Sequence, residues 1–139
     1  MARYFKLLDH TADIGIRATA DTLEELVRAA GEALYEIIGR LEATGDRRRI
    51  QLAFSADEPA LLLRDYLAEL LVLVERDGTI VTEVEVPVFD EDRLEAIAEV
   101  AAVDHERCAY HREVKAITYH ELDLHRTDNG YEATLIVDI

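Results

Sequence analysis

Glu83-Val84-Glu85-Val86-Pro87-Val88 and Leu94-Glu95-Ala96-Ile97-Ala98-Glu99-Val100 put apolar residues at every second position, with the acidic triplet Asp90-Glu91-Asp92 between them. Side chains alternate across a strand, so this spacing predicts two half-buried strands joined by a turn. From this point to Ile139 the period stays at two. A more polar loop, Asp104 to Arg112, precedes a strand near Val114 to Tyr119 that continues through Leu122 and Leu124. Asp128-Asn129-Gly130 is a hairpin signal, because Asn-Gly supplies the positive φ values such a turn demands. The closing strand sets Tyr131, Ala133, Leu135 and Val137 on one face and Glu132, Thr134, Ile136 and Asp138 on the other.

Upstream, two stretches carry the helical spacing instead. Thr22-Leu23-Glu24-Glu25 offers a capping box, in which hydroxyl and carboxylate serve each other's backbone N–H. Leu23, Leu26, Val27, Ala30, Leu34, Ile37, Ile38 and Leu41 follow three and four residues apart, and Gly39 is a stop signal. The second stretch has N-cap candidates from Ser55 to Glu58 and Pro59 in the first turn, where a missing N–H does no harm. Leu61 to Val74 is apolar nearly all round, broken by Arg64, Asp65 and Glu69, and Asp77-Gly78 ends it. That composition predicts the more buried helix. Three shorter alternations, Tyr4 to Leu8, Ile14 to Ala18, and Ile50 to Phe54 after Arg47-Arg48-Arg49, read as strands. The order argues an α+β fold, two helices packed on mostly antiparallel β-sheet, in a single compact domain over residues 1–139.

Composition narrows the function classes. The chain has 30 acidic against 15 basic residues, a formal charge of −15. A phosphate backbone needs a basic footprint, so strong direct nucleic-acid binding is not expected. The charge suits a basic protein partner, a bound cation, or solubility alone. No apolar run reaches the ~18 residues of a membrane span, and Lys6, Asp9 and Asp13 interrupt any apolar leader. Cys108 is the one cysteine, which excludes an internal disulfide and a cysteine-based zinc site. The expectation is a soluble cytoplasmic protein without a membrane partner. The six glycines are scattered, so no phosphate-cradling loop argues for nucleotide hydrolysis.

The chemistry-bearing residues gather at the two ends. Asp13 closes the run Asp9-His10-Thr11-Ala12-Asp13, and the sequence finishes Val137-Asp138-Ile139. If the sheet brings these together, two carboxylates and the terminal one make an all-oxygen nest of the kind Ca²⁺, Mg²⁺ or Mn²⁺ prefers. Taken alone, Asp13 is more often a turn or cap residue, and Asp138 an exposed edge carboxylate. His10 and His120 could orient a bound water or act as bases, though hydrogen-bonded structural histidines are commoner. Lys115 is expected to pair with a neighbouring carboxylate.

Asp9-His10-Thr11-Ala12-Asp13-Ile14-Gly15-Ile16 resembles the opening signature of the archease family. Val114-Lys115-Ala116-Ile117-Thr118-Tyr119-His120 is similar to its second signature and Ile136-Val137-Asp138-Ile139 to its third, with Leu62 to Leu67 matching the family's second helix. The resemblance implies a non-catalytic accessory protein of the GTP-dependent tRNA-splicing RNA ligase. Such proteins promote guanylylation of the ligase and its multiple turnover. It also implies a divalent cation, calcium in the family, held by Asp13, Asp138 and Ile139. His10, Lys115 and His120 become supporting or partner-contact residues. The alternative reading is a chaperone or specificity modulator of RNA-modifying methyltransferases.

Overall fold

The computed structural model describes residues 2–9 and 12–139. The chain runs β1 (Arg3–Asp9), β2 (Asp13–Ala20), α1 (Leu23–Ile38), β3 (Gly39–Arg40), β4 (Ala43–Ser55) and α2 (Pro59–Val72). A π-helical turn, Leu73–Asp77, finishes α2. There follow β5 (Thr79–Phe89), β6 (Arg93–Val103), β7 (Ala109–Tyr110), β8 (Ala116–Ile117), β9 (Asp123–Thr127) and β10 (Gly130–Asp138). The larger sheet has the order β1-β2-β10-β8, with β9 also on β10; the second sheet is β4-β6-β5, and β3 pairs β7. Every pairing is antiparallel, so the α+β expectation is met.

Both helices are enclosed by sheet. α1 lies on β1 and β2 and reaches β5, while α2 touches strands of both sheets. Ile14, Ile16, Leu135 and Val137 from one sheet and Leu94, Ala98 and Val100 from the other bury against Leu26, Leu34, Leu63 and Leu67 in a shared core. Among the described residues no helix is long and apolar enough to cross a membrane.

Local chemistry explains the element ends, with some departures from expectation. Thr22 Oγ1 accepts the Glu25 N–H at 3.1 Å, which is half of the capping box. The Glu25 carboxylate turns elsewhere, to Arg3 and Arg28 at 2.6 Å each. Among the described residues it is the one buried charged side chain, and its two guanidiniums supply the compensation such burial requires. Arg28 also donates to the Val84 carbonyl from Nε and from a second guanidinium nitrogen. Tyr35 Oη accepts the Val81 N–H and Glu24 the Val86 N–H. Three side chains of α1 thereby satisfy the outer edge of β5.

The strand expected from Val114 through Leu124 is broken. Thr118 bonds the Ile136 carbonyl through both its N–H and its hydroxyl, at 2.9 Å each. The chain then turns at His120-Glu121, where Glu121 has a φ of 51°. Only β8 and β9 remain as strands, and the polar segment before them contains β7. The Asn-Gly hairpin forms, but Thr127 pairs Gly130, so the loop residues are Asp128 and Asn129. Neither has a positive φ. Gly130 serves another purpose. A Cβ there would sit 2.1 Å from the Ala20 carbonyl oxygen, so glycine lets the start of β10 meet the end of β2.

Two stability outcomes follow from these contacts. Gly130→Ala forces that backbone contact apart and should destabilise by about 2 kcal/mol or more, read from thermal or denaturant melts. Hydrogen bonds from Arg3, then Arg28, hold Glu25 below its ordinary carboxylate value, outweighing the opposing effect of burial. A depressed folded-state value means the contribution is present above the unfolded value, about 4.5, and is lost as pH falls through the lower folded one. Glu25→Gln should therefore lower stability at neutral pH and flatten the acid side of a stability–pH profile.

Candidate functional site

The register of the central ladder decides what meets at the end of the larger sheet. β10 runs antiparallel to β2 with Asp138 opposite Asp13 and Val137 opposite Ile14. The Ile139 N–H donates to the Ala12 carbonyl at 3.2 Å. That makes Ala12 and Ile139 the hydrogen-bonded pair, so Asp13 and Asp138 form the adjacent non-hydrogen-bonded pair, whose Cα atoms sit about 4.5 Å apart with side chains close. Ile14 and Val137 are fully buried on the core face. Alternation places both aspartates on the opposite face, half-buried. The register thus sets the two aspartates from opposite ends of the sequence directly across from each other.

What surrounds the pair is equally specific. Two residues along the ladder, on the same face, Gly15 faces Ile136, and Leu8 Cβ and Ile136 Cδ1 come within 3.3 and 3.4 Å of where a Gly15 Cβ would stand. Register and alternation put these apolar groups on the same face as the acid pair. β8 flanks the pair on the Asp138 side. Ala116 pairs Asp138, and the Lys115 N–H donates to the Asp138 carbonyl at 2.8 Å. The Lys115 backbone therefore reaches the site. Its exposed ammonium has no carboxylate partner among the described residues, contrary to the pairing expected for it.

His120 is exposed. Its ring stands 3.9 Å from the Glu121 carboxylate, and its N–H donates to Thr118 Oγ1. It is placed by the β8 turn, one strand away from Asp13. His10 lies outside the described residues. Sequence reading missed Arg64, which on α2 donates to the Ile117 carbonyl at 3.0 Å and stacks 4.2 Å above the Tyr119 ring. That guanidinium fixes the segment carrying Lys115 and His120. Its only trace in the sequence was a charge interrupting an apolar helix.

The donor chemistry fits a hard divalent cation in part. Two adjacent carboxylates and nearby main-chain oxygens are oxygen donors of the right type. Among the described residues no group of three or more His, Cys, Asp or Glu side chains gathers. Asp13, Asp138 and the Ile139 backbone would thus fill only part of a Ca²⁺ shell of six to eight oxygens, leaving positions for water or a partner's atoms.

Comparison with known proteins gives a consistent result. The profile of the "Archease protein family" matches residues 5–139. Protein archease of Methanopyrus kandleri is 31% identical over 135 residues, spanning 95% of this chain and 96% of the relative. Protein archease of Pyrococcus furiosus is 33% identical over 141 residues, spanning 99% of each. The solution structure of Methanobacterium thermoautotrophicum protein 1598 matches with a TM-score of 0.74 at 28% identity, over 97% of this chain and 98% of that one. A Thermotoga maritima crystal structure, described as an archease and possible chaperone, shares the fold with a TM-score of 0.69 at 19% identity over 96% of each chain.

Like charges directly opposite on neighbouring strands repel. With chelator present and at low ionic strength, Asp138→Asn should raise stability by about 0.5 kcal/mol, and added salt should shrink the gain. Melting curves at two salt concentrations measure both.

Proposed function

Because the chain belongs to the archease family, we propose that it is a non-catalytic accessory protein of the GTP-dependent tRNA-splicing RNA ligase in the cytoplasm. In this role it promotes guanylylation of the ligase and its repeated turnover. The supporting observation is the close Asp13–Asp138 pair at the end of the β2–β10 ladder. An unpaired repulsion between two half-buried carboxylates is a cost that a docked cation removes.

In the proposed complex Asp13, Asp138 and the Ile139 backbone hold a divalent ion, Ca²⁺ or in its place Mg²⁺ or Mn²⁺. When bound, it supplies positive charge at a surface that otherwise repels a nucleotide's phosphates. The chain's own residues do the positioning. The bond from the Lys115 N–H fixes the Asp138 main chain. Exposed Lys115 and His120 stand on the adjoining β8 segment, where a docked ligase would meet them. The net charge of −15 steers the protein toward a basic, RNA-binding partner. Direct capture of the RNA is not part of this role, for lack of a basic footprint.

Two measurements test the reading together. In a guanylylation assay the protein should stimulate the ligase, and Asp13→Ala and Asp138→Ala should each lower the stimulation about tenfold or more, the scale on which disturbed metal sites lose affinity. Ca²⁺ should raise the melting temperature of the parent and leave both variants unmoved. Full stimulation by both variants would reduce the acid pair to a structural feature. Affinity capture recovering a methyltransferase in place of a ligase would favour the modulator reading instead.

A further inference from the structure

The two edges of the smaller sheet are treated differently. β5 is closed by α1, through Arg28, Tyr35 and Glu24. Among the described residues β4 pairs only β6, and its far edge carries no strand. The Ala56 N–H donates to the Asp92 carbonyl at 3.1 Å, which makes these two a hydrogen-bonded pair. Alternation along the regular register from Arg48 to Ser55 then gives Ile50, Leu52 and Phe54 their bonds to β6. The N–H and C=O groups of Arg49, Gln51, Ala53 and Ser55 point to the open edge.

The two ends of this edge carry opposite charge. Arg47-Arg48-Arg49 stands near its start, and Arg47 and Arg49 have no hydrogen bond or ion pair among the described residues. Asp57 lies just past its end, exposed and likewise unpaired among the described residues. The exposed Asp90-Glu91-Asp92 turn adjoins that end, because Ser55 pairs Arg93. Between the charges, Ile50, Leu52 and Phe54 are half-buried, packed on the core with part of each side chain left open. Basic residues on an edge ordinarily guard it against foreign strands. An edge basic at one end and acidic at the other guards poorly against its own antiparallel image.

We infer that β4 is a dimerisation edge, pairing antiparallel with β4 of a second copy about a two-fold axis at Leu52. Backbone bonds then join Gln51 to the partner's Ala53 and Arg49 to the partner's Ser55, each twice by symmetry. Arg47 comes to the partner's Asp57. Ile50 packs beside the partner's Phe54 and Leu52 beside the partner's Leu52, so the open parts of the two apolar strips cover each other. The same patch serves both copies, as an isologous contact requires. A parallel pairing would set one arginine run against the other, so charge selects the antiparallel one. The Asp13–Asp138 pair belongs to the larger sheet, and the inference does not rest on the ligase reading.

The test is sedimentation of the intact protein over a range of protein and salt concentrations. The expected result is a monomer–dimer equilibrium whose dimer fraction falls as salt screens the exposed charges. Amide exchange at Arg49, Gln51 and Ala53 should slow as the dimer forms, while amides of β1, the open edge of the larger sheet, should not change. Gln51→Pro removes an outward N–H and leaves the bonds to β6, so it should fold as the parent does and stay monomeric. D57R should weaken the dimer about fivefold, the scale of exposed ion pairs. The swap R47D/D57R should restore it, which a merely structural role of either residue would not do. Monomer mass at every concentration up to millimolar would overturn the inference. So would a dimer that leaves exchange in β4 unchanged, or one that D57R weakens and the swap does not restore.

Discussion

The backbone ladder between β2 and β10 is the constraint on which the other arrangements rest. β10 sits in the middle of the larger sheet, bonded to β2 on one side and to β8 and β9 on the other. A slip of one residue would turn Val137 outward and Asp138 into the core, so the burial of one face holds the register of the other. The same alignment that seats Leu135 and Val137 against the helices therefore sets two carboxylates side by side at the rim. Packing of the core face is what keeps these two acidic residues across from each other.

α1 contributes through its polar residues as much as through its apolar ones. Glu25 is neutralised from two directions, by Arg3 at the start of β1 and by Arg28 one turn along its own helix. Arg28 goes on to β5, as do Glu24 and Tyr35, so ionic and hydrogen-bonding links join the two sheets across the helix layer. Burial pushes the Tyr35 phenol up to about 12, which keeps the hydroxyl neutral in this role at physiological pH. An edge strand whose outward amides and carbonyls are already engaged offers less to a foreign strand.

Much of this was legible in the sequence, because period and punctuation are local. The Thr22 cap, Pro59 at the start of α2, Gly39 and Gly78 at helix ends and the β5–β6 alternation needed only nearby residues. The fate of Glu25 was not legible, since its partner Arg3 lies on a different element. Period two also failed from Val114 to Leu124, where tertiary bonds from Thr118 and Arg64 override a run that alternates well. For the candidate site, alternation predicted a face for Asp138 but could not name its neighbour strand. That neighbour came from topology. The resemblance of the terminal motifs pointed to the same residues, and the register places two of them opposite one another.

The placement of β10 also has a kinetic side. Its partner β2 is among the first segments of the sequence, and the β1–β2 hairpin can form early from local contacts. Until β10 arrives, that hairpin holds one edge unsatisfied and shows Ile14, Ile16 and Ala18 to water. Pairings between segments so distant in sequence are slow to close, so the half-built sheet is the species most exposed to misassociation during folding. A cut in the Asp128–Asn129 loop would free β10 from its hairpin with β9, and with it Leu135 and Val137 from the core that both helices share.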